Sequence, residues 1–199
     1  MEIVMKIKFL VSLAAVSVLF LSGCSTIAPQ YSGSRENVEA LQSIPSTKLS
    51  VGRFYDDHNP ANNEKLNLRG LNTMSSAYGE TYAGYVEQAL RQDLTIADRY
   101  SSESSLMITG VLKKNNLDIS SSFATGTSIC EVEFSVLQNK NSIYKKTLTQ
   151  NHEWESSFVG AIAIPKAKEE YTVTVQKIIN KLFKDQEFIE AMKKSAQSK

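Results

Sequence analysis

The sequence predicts an α+β fold of two layers, in which two long helices and a short C-terminal helix cover an antiparallel sheet of about four strands. Apolar residues recur at steps of three and four along 78–97 and 165–182, as on the buried stripe of an amphipathic helix. They alternate with polar residues along 106–119, 128–138 and 143–158, which predicts three half-buried strands joined as a meander. No strand-helix-strand rhythm repeats, so we do not expect a parallel sheet.

The N-terminus has the three parts of a bacterial secretory signal. A weakly basic start precedes an apolar run over 9–21, which is too short to remain as a membrane-spanning helix. The run ends in Leu21-Ser22-Gly23-Cys24, which has the Leu, small, small, Cys pattern of a lipobox. We therefore expect 1–23 to be a lipoprotein signal peptide, cleaved after Gly23, and Cys24 to be acylated. The alternative is a plain signal whose cysteine lies near the cleavage site by chance.

Lipidation predicts that the membrane is a partner of this chain through its N-terminal acyl chains. Each buried methylene contributes about 0.8 kcal/mol, so two or three chains give durable anchoring. Ser25 follows the acylated cysteine, and in enterobacteria-like sorting an Asp at this place favours the inner membrane. The sequence thus predicts the periplasmic face of the outer membrane. Residues 24–46 are polar and lack apolar periodicity, and we expect a flexible tether there.

Length and charge predict a single neutral domain. Removal of residues 1–23 from the 199 leaves 176, which suits one α+β domain at 47–194 with a tether before it. The removal takes two of the 22 basic and one of the 21 acidic side chains, so 20 of each remain. A neutral chain without a basic cluster predicts no nucleic-acid partner. Cys130 alternates with apolar residues and is expected to be a buried core thiol.

The domain is predicted to begin with a strand at 47–54, where apolar and polar residues alternate. Asp and Asn dominate 56–63, which has the chemistry of a turn. A second and weaker strand is predicted within 66–74. The first long helix over 78–97 follows, and its apolar stripe has to cover the strands of the meander.

In the meander, the first strand is expected to break or bulge near Lys113, and Asn139-Lys140-Asn141 predicts a tight hairpin. The second long helix is expected to start near Pro165, because proline is favoured in a first helical turn. Asp185 has the position of an N-cap for the short last helix. The polar tail 195–199 is expected to fray.

The sequence offers few residues for catalysis. Its two histidines are His58, in the Asp- and Asn-rich turn, and His152, in a predicted strand. Glu153 points to the opposite face from His152 by the two-residue period, so the two cannot form a relay within that strand. No metal-ligand spacing, P-loop or GxSxG motif is present. We expect no metal, no cofactor and no enzymatic activity.

The connection between the last strand of the meander and the second long helix is unusually apolar for a loop. If its apolar side chains are all buried, they serve only to pack the helix on the sheet. If some are exposed, they form a patch that binds a protein partner or lipid. The residues of this predicted patch are Trp154, Phe158, Val159, Ile162 and Ile164.

Four segments of the C-terminal half occur in an order that resembles the YajG-type family of uncharacterised envelope lipoproteins. They are the strand 106–112 (LMITGVL), the hairpin at 139–141, the helix end 178–182 (IINKL) and the closing segment 184–189 (KDQEFI). The resemblance covers about half of the chain. It implies an envelope lipoprotein without an established reaction and supplies no functional residues. At the level of fold, the layout is also similar to the lipopolysaccharide-assembly lipoprotein and to auxiliary lipoproteins of ABC-type lipid transporters.

These observations favour a membrane-anchored, non-enzymatic binding or adaptor module of the cell envelope, with an unidentified protein or lipid partner. An accessory lipoprotein of a lipid or lipopolysaccharide transport machine is the alternative. An enzyme of unfamiliar type would need a pocket that gathers His58 or His152 with carboxylates.

Overall fold

The computed structural model describes residues 25–58, 64–79, 81–120, 122 and 124–197. The predicted signal peptide 1–23, with Gly23, and the predicted lipidation site Cys24 lie outside these ranges. The strands are β1 Ser25–Ile27, β2 Ser50–Asp56, β3 Leu66–Asn67, β4 Thr73–Ser75, β5 Leu106–Asp118, β6 Thr125–Gln138 and β7 Asn141–Glu155. The helices are α1 Arg35–Gln42, α2 Tyr82–Ile96, α3 Gly160–Lys184 and α4 Gln186–Gln197. No helix within the described ranges is long and apolar enough to cross a membrane.

The predicted α+β class is confirmed, with a main sheet in the order β2-β5-β6-β7. β5, β6 and β7 form the predicted antiparallel meander, but β2 pairs with β5 in parallel, so the sheet is mixed rather than antiparallel. The physical reason is that the chain crosses over through α2 between these two strands, and one such crossover is enough for a parallel pair. A second sheet, β1-β4-β3, was not predicted.

The alternation in the meander matches the burial of its side chains. Cys130 is fully buried, as predicted, and burial raises the pKa of its thiol to about 12. The register of β5 against β6 shifts between Leu112 and Lys114, where the sequence predicts a break. Asn139 and Lys140 have φ of 49° and 72°, the conformation of a tight two-residue hairpin turn. The meander is therefore the part of the fold that the sequence predicts best.

The start of α3 and the end of α4 differ from the prediction. α3 begins at Gly160, five residues before the predicted start at Pro165, because the carbonyl of Val159 already accepts from the amides of Ile162 and Ala163 and opens a helical turn before the proline. Asp185 caps α4 as predicted, since its Oδ1 accepts from the amide of Phe188 at 3.1 Å. Ser195 is helical and buried, so the predicted frayed tail is wrong for 195–197, and 198–199 lie outside the described residues.

The largest correction concerns residues 25–46, which were predicted to be a flexible tether. They contain β1 and α1, and they bury Tyr31, Leu41 and Ile44 in the same core as the rest of the chain. The reason is a polar network around the buried Asp93 of α2, which apolar periodicity does not register. The packed domain therefore begins with the first described residue rather than at residue 47.

Candidate functional site

The predicted patch divides into a buried half and an exposed half. Trp154 lies in the core, and Ile164 is partly buried against it. The other three side chains are exposed to solvent: 73% for Phe158, 52% for Val159 and 60% for Ile162. The segment is therefore buried in part, where it packs the helix on the sheet, and exposed in part.

The start of α3 explains this division. The buried stripe of the helix begins with Ala163 and Ala167, and Ile162 lies one position before it, on the outer side. Val159 is the N-cap residue and precedes Ile162 by three positions, so the two lie on one face. Trp154 belongs to β7, and its indole fills the space over Gly126 of β6, where an added Cβ would lie 2.3 Å from the ring.

Arg69 ties a second segment to this place. From the turn between β3 and β4, its guanidinium donates to the carbonyls of Phe158 at 2.8 Å and Ser157 at 3.0 Å. It also donates to the carbonyl of Ile119, just after β5, at 2.9 Å. The β3–β4 turn is thus fixed beside the loop that enters α3.

The same turn carries Leu71, whose side chain is 65% exposed. The sequence analysis missed Leu71 because it placed the residue inside a single strand over 66–74. Gly70, with φ of +61°, marks the turn and was the available signal. We call the four exposed side chains Leu71, Phe158, Val159 and Ile162 the apolar end of the molecule.

A shallow groove of about 580 Å³ borders the apolar end. Trp154, Ile162 and Ala163 form its apolar wall, and Lys166 and Glu170 of α3 supply polar groups. The mixed lining suits an amphiphilic ligand better than a purely apolar one.

His152 of β7 lies close to this groove, where its ring contacts that of Trp154 with centroids 5.5 Å apart, and its two ring nitrogens contact α3. Its Nε2 is 2.6 Å from Oε2 of Glu170, and its Nδ1 is 2.9 Å from Nζ of Lys177. Lys166 contacts the other oxygen of Glu170 at 2.6 Å. The sequence considered only carboxylates within the strand, whereas the helix brings one from 18 residues away.

The geometry of this cluster is that of a structural link. An ammonium group has no lone pair, so Lys177 donates to Nδ1, and Nε2 carries the hydrogen that Glu170 accepts. Both ring nitrogens are therefore occupied, which leaves none to take a proton from a substrate. Burial opposes ionisation of Glu170, but its bonds to Lys166 and His152 outweigh that cost and hold the pKa of the carboxyl below its ordinary value.

We expect Glu170→Gln to lower the free energy of unfolding by about 1 kcal/mol at pH 7, because the variant loses charge-assisted bonds. A carboxyl whose pKa is lowered by folding stabilises the protein above its ordinary pKa, and this advantage disappears as the pH falls through the lowered value. Urea unfolding at pH 7 and at steps below pH 4 should therefore show a difference between the two proteins that is largest at pH 7 and becomes smaller as the pH falls. The control is Glu169→Gln, its exposed neighbour on α3. A pH-independent difference would contradict this account.

The remaining candidates from the sequence do not assemble into a site. His58 is described, with φ of 54°, but most of its loop, 59–63, lies outside the described residues. Within the ranges that the structure covers, no three His, Cys, Asp or Glu residues are grouped so as to hold a metal ion.

Comparison with known proteins concerns the fold. No family model matches the sequence, and no curated protein has a significant match to it. A protein of Xanthomonas campestris of the family DUF330 has a similar structure, with a TM-score of 0.56 and 8% identity over 87% of this chain and 99% of its own. At that identity, the match shows a shared fold.

Two lipoproteins have lower structural similarity. A presumed lipoprotein of Caulobacter crescentus has a TM-score of 0.45 and 12% identity, over 82% of this chain and 97% of its own. A minor lipoprotein of Acinetobacter baumannii has a TM-score of 0.40 and 11% identity, over 72% and 92%. The chain is thus an α+β protein with the fold of a DUF330 protein.

Proposed function

We propose that this protein is a non-enzymatic lipoprotein of the cell envelope, acylated at Cys24, whose domain binds an envelope component through its apolar end. The periplasmic face of the outer membrane is the proposed location, because Ser25 follows the acylated cysteine. The resemblance of the C-terminal half to YajG-type lipoproteins supports the same compartment.

One observation carries the proposal: apolar side chains between 52% and 73% exposed lie at the start of α3 and in the turn that Arg69 binds to it. Burying such surface is favourable by roughly 25 cal/mol per Å², so a contiguous apolar patch normally marks a binding surface. The occupied nitrogens of His152 support a binding role over a catalytic one.

The test is photo-crosslinking in intact cells, with a photoreactive amino acid in place of Ile162 and, in a second strain, in place of Ile96. Both isoleucines lie on helices with similar exposure, 60% and 55%, but Ile96 is at the end of α2, outside the apolar end. We expect abundant adducts at position 162 and few at position 96. Equal yields at the two positions would refute binding through the apolar end.

The alternative function, an accessory role in lipid or lipopolysaccharide transport, differs in the adduct that it predicts. The groove beside the apolar end favours it, because apolar Trp154 and Ile162 and charged Lys166 line one space, a combination that suits an amphiphilic lipid. In that case, the adducts at position 162 would include a subunit of a transport machine.

A further inference from the structure

The chain enters the folded domain at the apolar end. β1 runs parallel to β4, and Ser25 pairs with Thr73 at the start of both strands. Leu71 precedes Thr73 by two residues, so strand geometry places the first described residue within roughly 10 Å of the exposed turn. The peptide bond from Cys24 therefore joins the domain beside Leu71.

Two further contacts place the start of α3 at this same end. Arg69, in the turn with Leu71, donates to the carbonyls of Ser157 and Phe158 directly before α3. Lys168 of α3 donates to the hydroxyl of Thr26 in β1 at 2.9 Å. The entry of the chain and the four side chains of the apolar end thus belong to one side of the molecule.

No spacer separates this side from the proposed lipid anchor. Residues 25–27 are already a strand of the second sheet, and consecutive Cα atoms are about 3.8 Å apart. Acyl chains on Cys24 would hold the bilayer surface beside the turn of Leu71 and on the side of the molecule where α3 starts. The effective concentration of lipid at the apolar end is then very high.

We infer that the apolar end seats in the headgroup and upper acyl region of the same bilayer that holds the acyl chains of Cys24. The inference rests on the proposed function, because it needs the acylated cysteine. A lipid surface is favoured over a protein because a protein partner would have to enter between the bilayer and a domain attached without a spacer. Exposed aliphatic and aromatic side chains are those that insert at such an interface.

Seating fixes the orientation of the domain. With the membrane anchor and the apolar end on one side, the protein has two separate attachments to the bilayer and cannot rotate freely about its acyl chains. The loops at the other end of the meander, which include the hairpin turn Asn139-Lys140, then face away from the membrane. A protein partner would meet that end or the open face of the main sheet.

The test uses the full-length acylated protein in vesicles of phosphatidylethanolamine and phosphatidylglycerol. Ile162→Cys and Leu71→Cys each carry an environment-sensitive fluorophore on the new thiol, and Ile96→Cys is the matched control. Acylation blocks the thiol of Cys24, and Cys130 is buried, so the label attaches at the introduced position. Mass spectrometry of the purified protein verifies the acyl chains.

We expect a blue-shifted emission at positions 162 and 71, with several-fold stronger quenching by spin-labelled lipid than by aqueous iodide. At position 96 we expect no blue shift and stronger quenching by aqueous iodide than by spin-labelled lipid. If the acylated protein leaves position 162 open to iodide, seating is wrong while the anchor stands. If neither quencher reduces the fluorescence at position 162, a second copy of the protein covers that position. This result also overturns the contact of the apolar end with lipid. A protein that carries no acyl chains overturns the anchor and, with it, this inference.

Discussion

Replacing Cys24 by serine is expected to abolish acylation and to remove the protein from the membrane fraction, or to leave its precursor uncleaved. A hydroxyl cannot form the thioether that carries the diacylglycerol, so the covalent contribution of two or three acyl chains to membrane binding is lost entirely. The apolar end alone is too small to replace that contribution. Metabolic labelling with a fatty acid, followed by fractionation and immunoblotting, measures both effects in one experiment.

Cys130→Ala is the matched control, because it changes the only other cysteine of the chain. Its thiol is fully buried, and burial raises its pKa to about 12, so it is a poor nucleophile for any modification. We expect Cys130→Ala to keep the fatty-acid label and the membrane location. A Cys24→Ser protein that is still processed and labelled would refute the lipobox assignment.

The sequence correctly predicts those helices and strands that have one buried face and one face exposed to solvent. The meander and α2 meet this condition, and so Cys130, the shift near Lys113 and the Asn139-Lys140 turn are found where they were expected. The parallel pairing of β2 with β5 could not be predicted, because the alternation of a short strand does not contain its direction.

The candidate site was predicted in part for a similar reason. Its apolar composition is visible along 154–165, but periodicity cannot tell which side of a helix start remains uncovered. Leu71 and Arg69 join the site through three backbone carbonyls distant in sequence. Glu170 reaches His152 only because α3 packs across β7. Such contacts depend on tertiary structure, which local patterns do not record.

The failure of the tether prediction has a functional consequence. A tether of some twenty residues would let the domain meet partners well away from the membrane. With β1 and α1 packed into the fold, the domain instead starts directly after Cys24. In the proposed attachment, an acyl anchor on Cys24 would determine orientation as well as location, and the apolar end would be part of the membrane contact.

Asp93→Ala is expected to lower the free energy of unfolding by about 3 kcal/mol or more, because Asp93 holds the N-terminal segment to α2. Its carboxylate accepts from the hydroxyl of Tyr31 at 2.7 Å, the amide of Ser34 at 2.9 Å and the side-chain amide of Asn37 at 2.6 Å. Alanine leaves these buried donors without that acceptor, and each costs roughly 1 to 3 kcal/mol. Urea unfolding measures the loss, and hydrogen exchange should show lost protection across 31–44 before the meander opens.

Two variants calibrate this effect. Tyr31→Phe keeps the ring and removes the hydroxyl, which donates to Asp93 and accepts a longer bond from Asn37 at 3.4 Å, so it should cost about 1 kcal/mol. Asp98→Asn removes an exposed carboxylate near the end of α2 and should change stability by less than about 0.5 kcal/mol. Asp93→Ala with unchanged exchange in 31–44 would show that other contacts hold the segment.

The pH dependence adds a second signature of Asp93. Burial raises the pKa of its carboxyl despite the opposing bonds from Asn37, Tyr31 and Ser34. A raised pKa contributes stability that is complete below the ordinary value and is lost as the pH rises through the folded value. Other carboxyls such as Glu170 have the opposite dependence in both proteins, so the measure is the difference: the stability of wild type relative to Asp93→Ala should decrease as the pH rises through the raised pKa. If Asp93→Ala also releases residues 25–46 from the fold, these residues form the spacer that the native chain lacks. The label at position 162 should then become accessible to iodide while the acyl anchor remains in the bilayer.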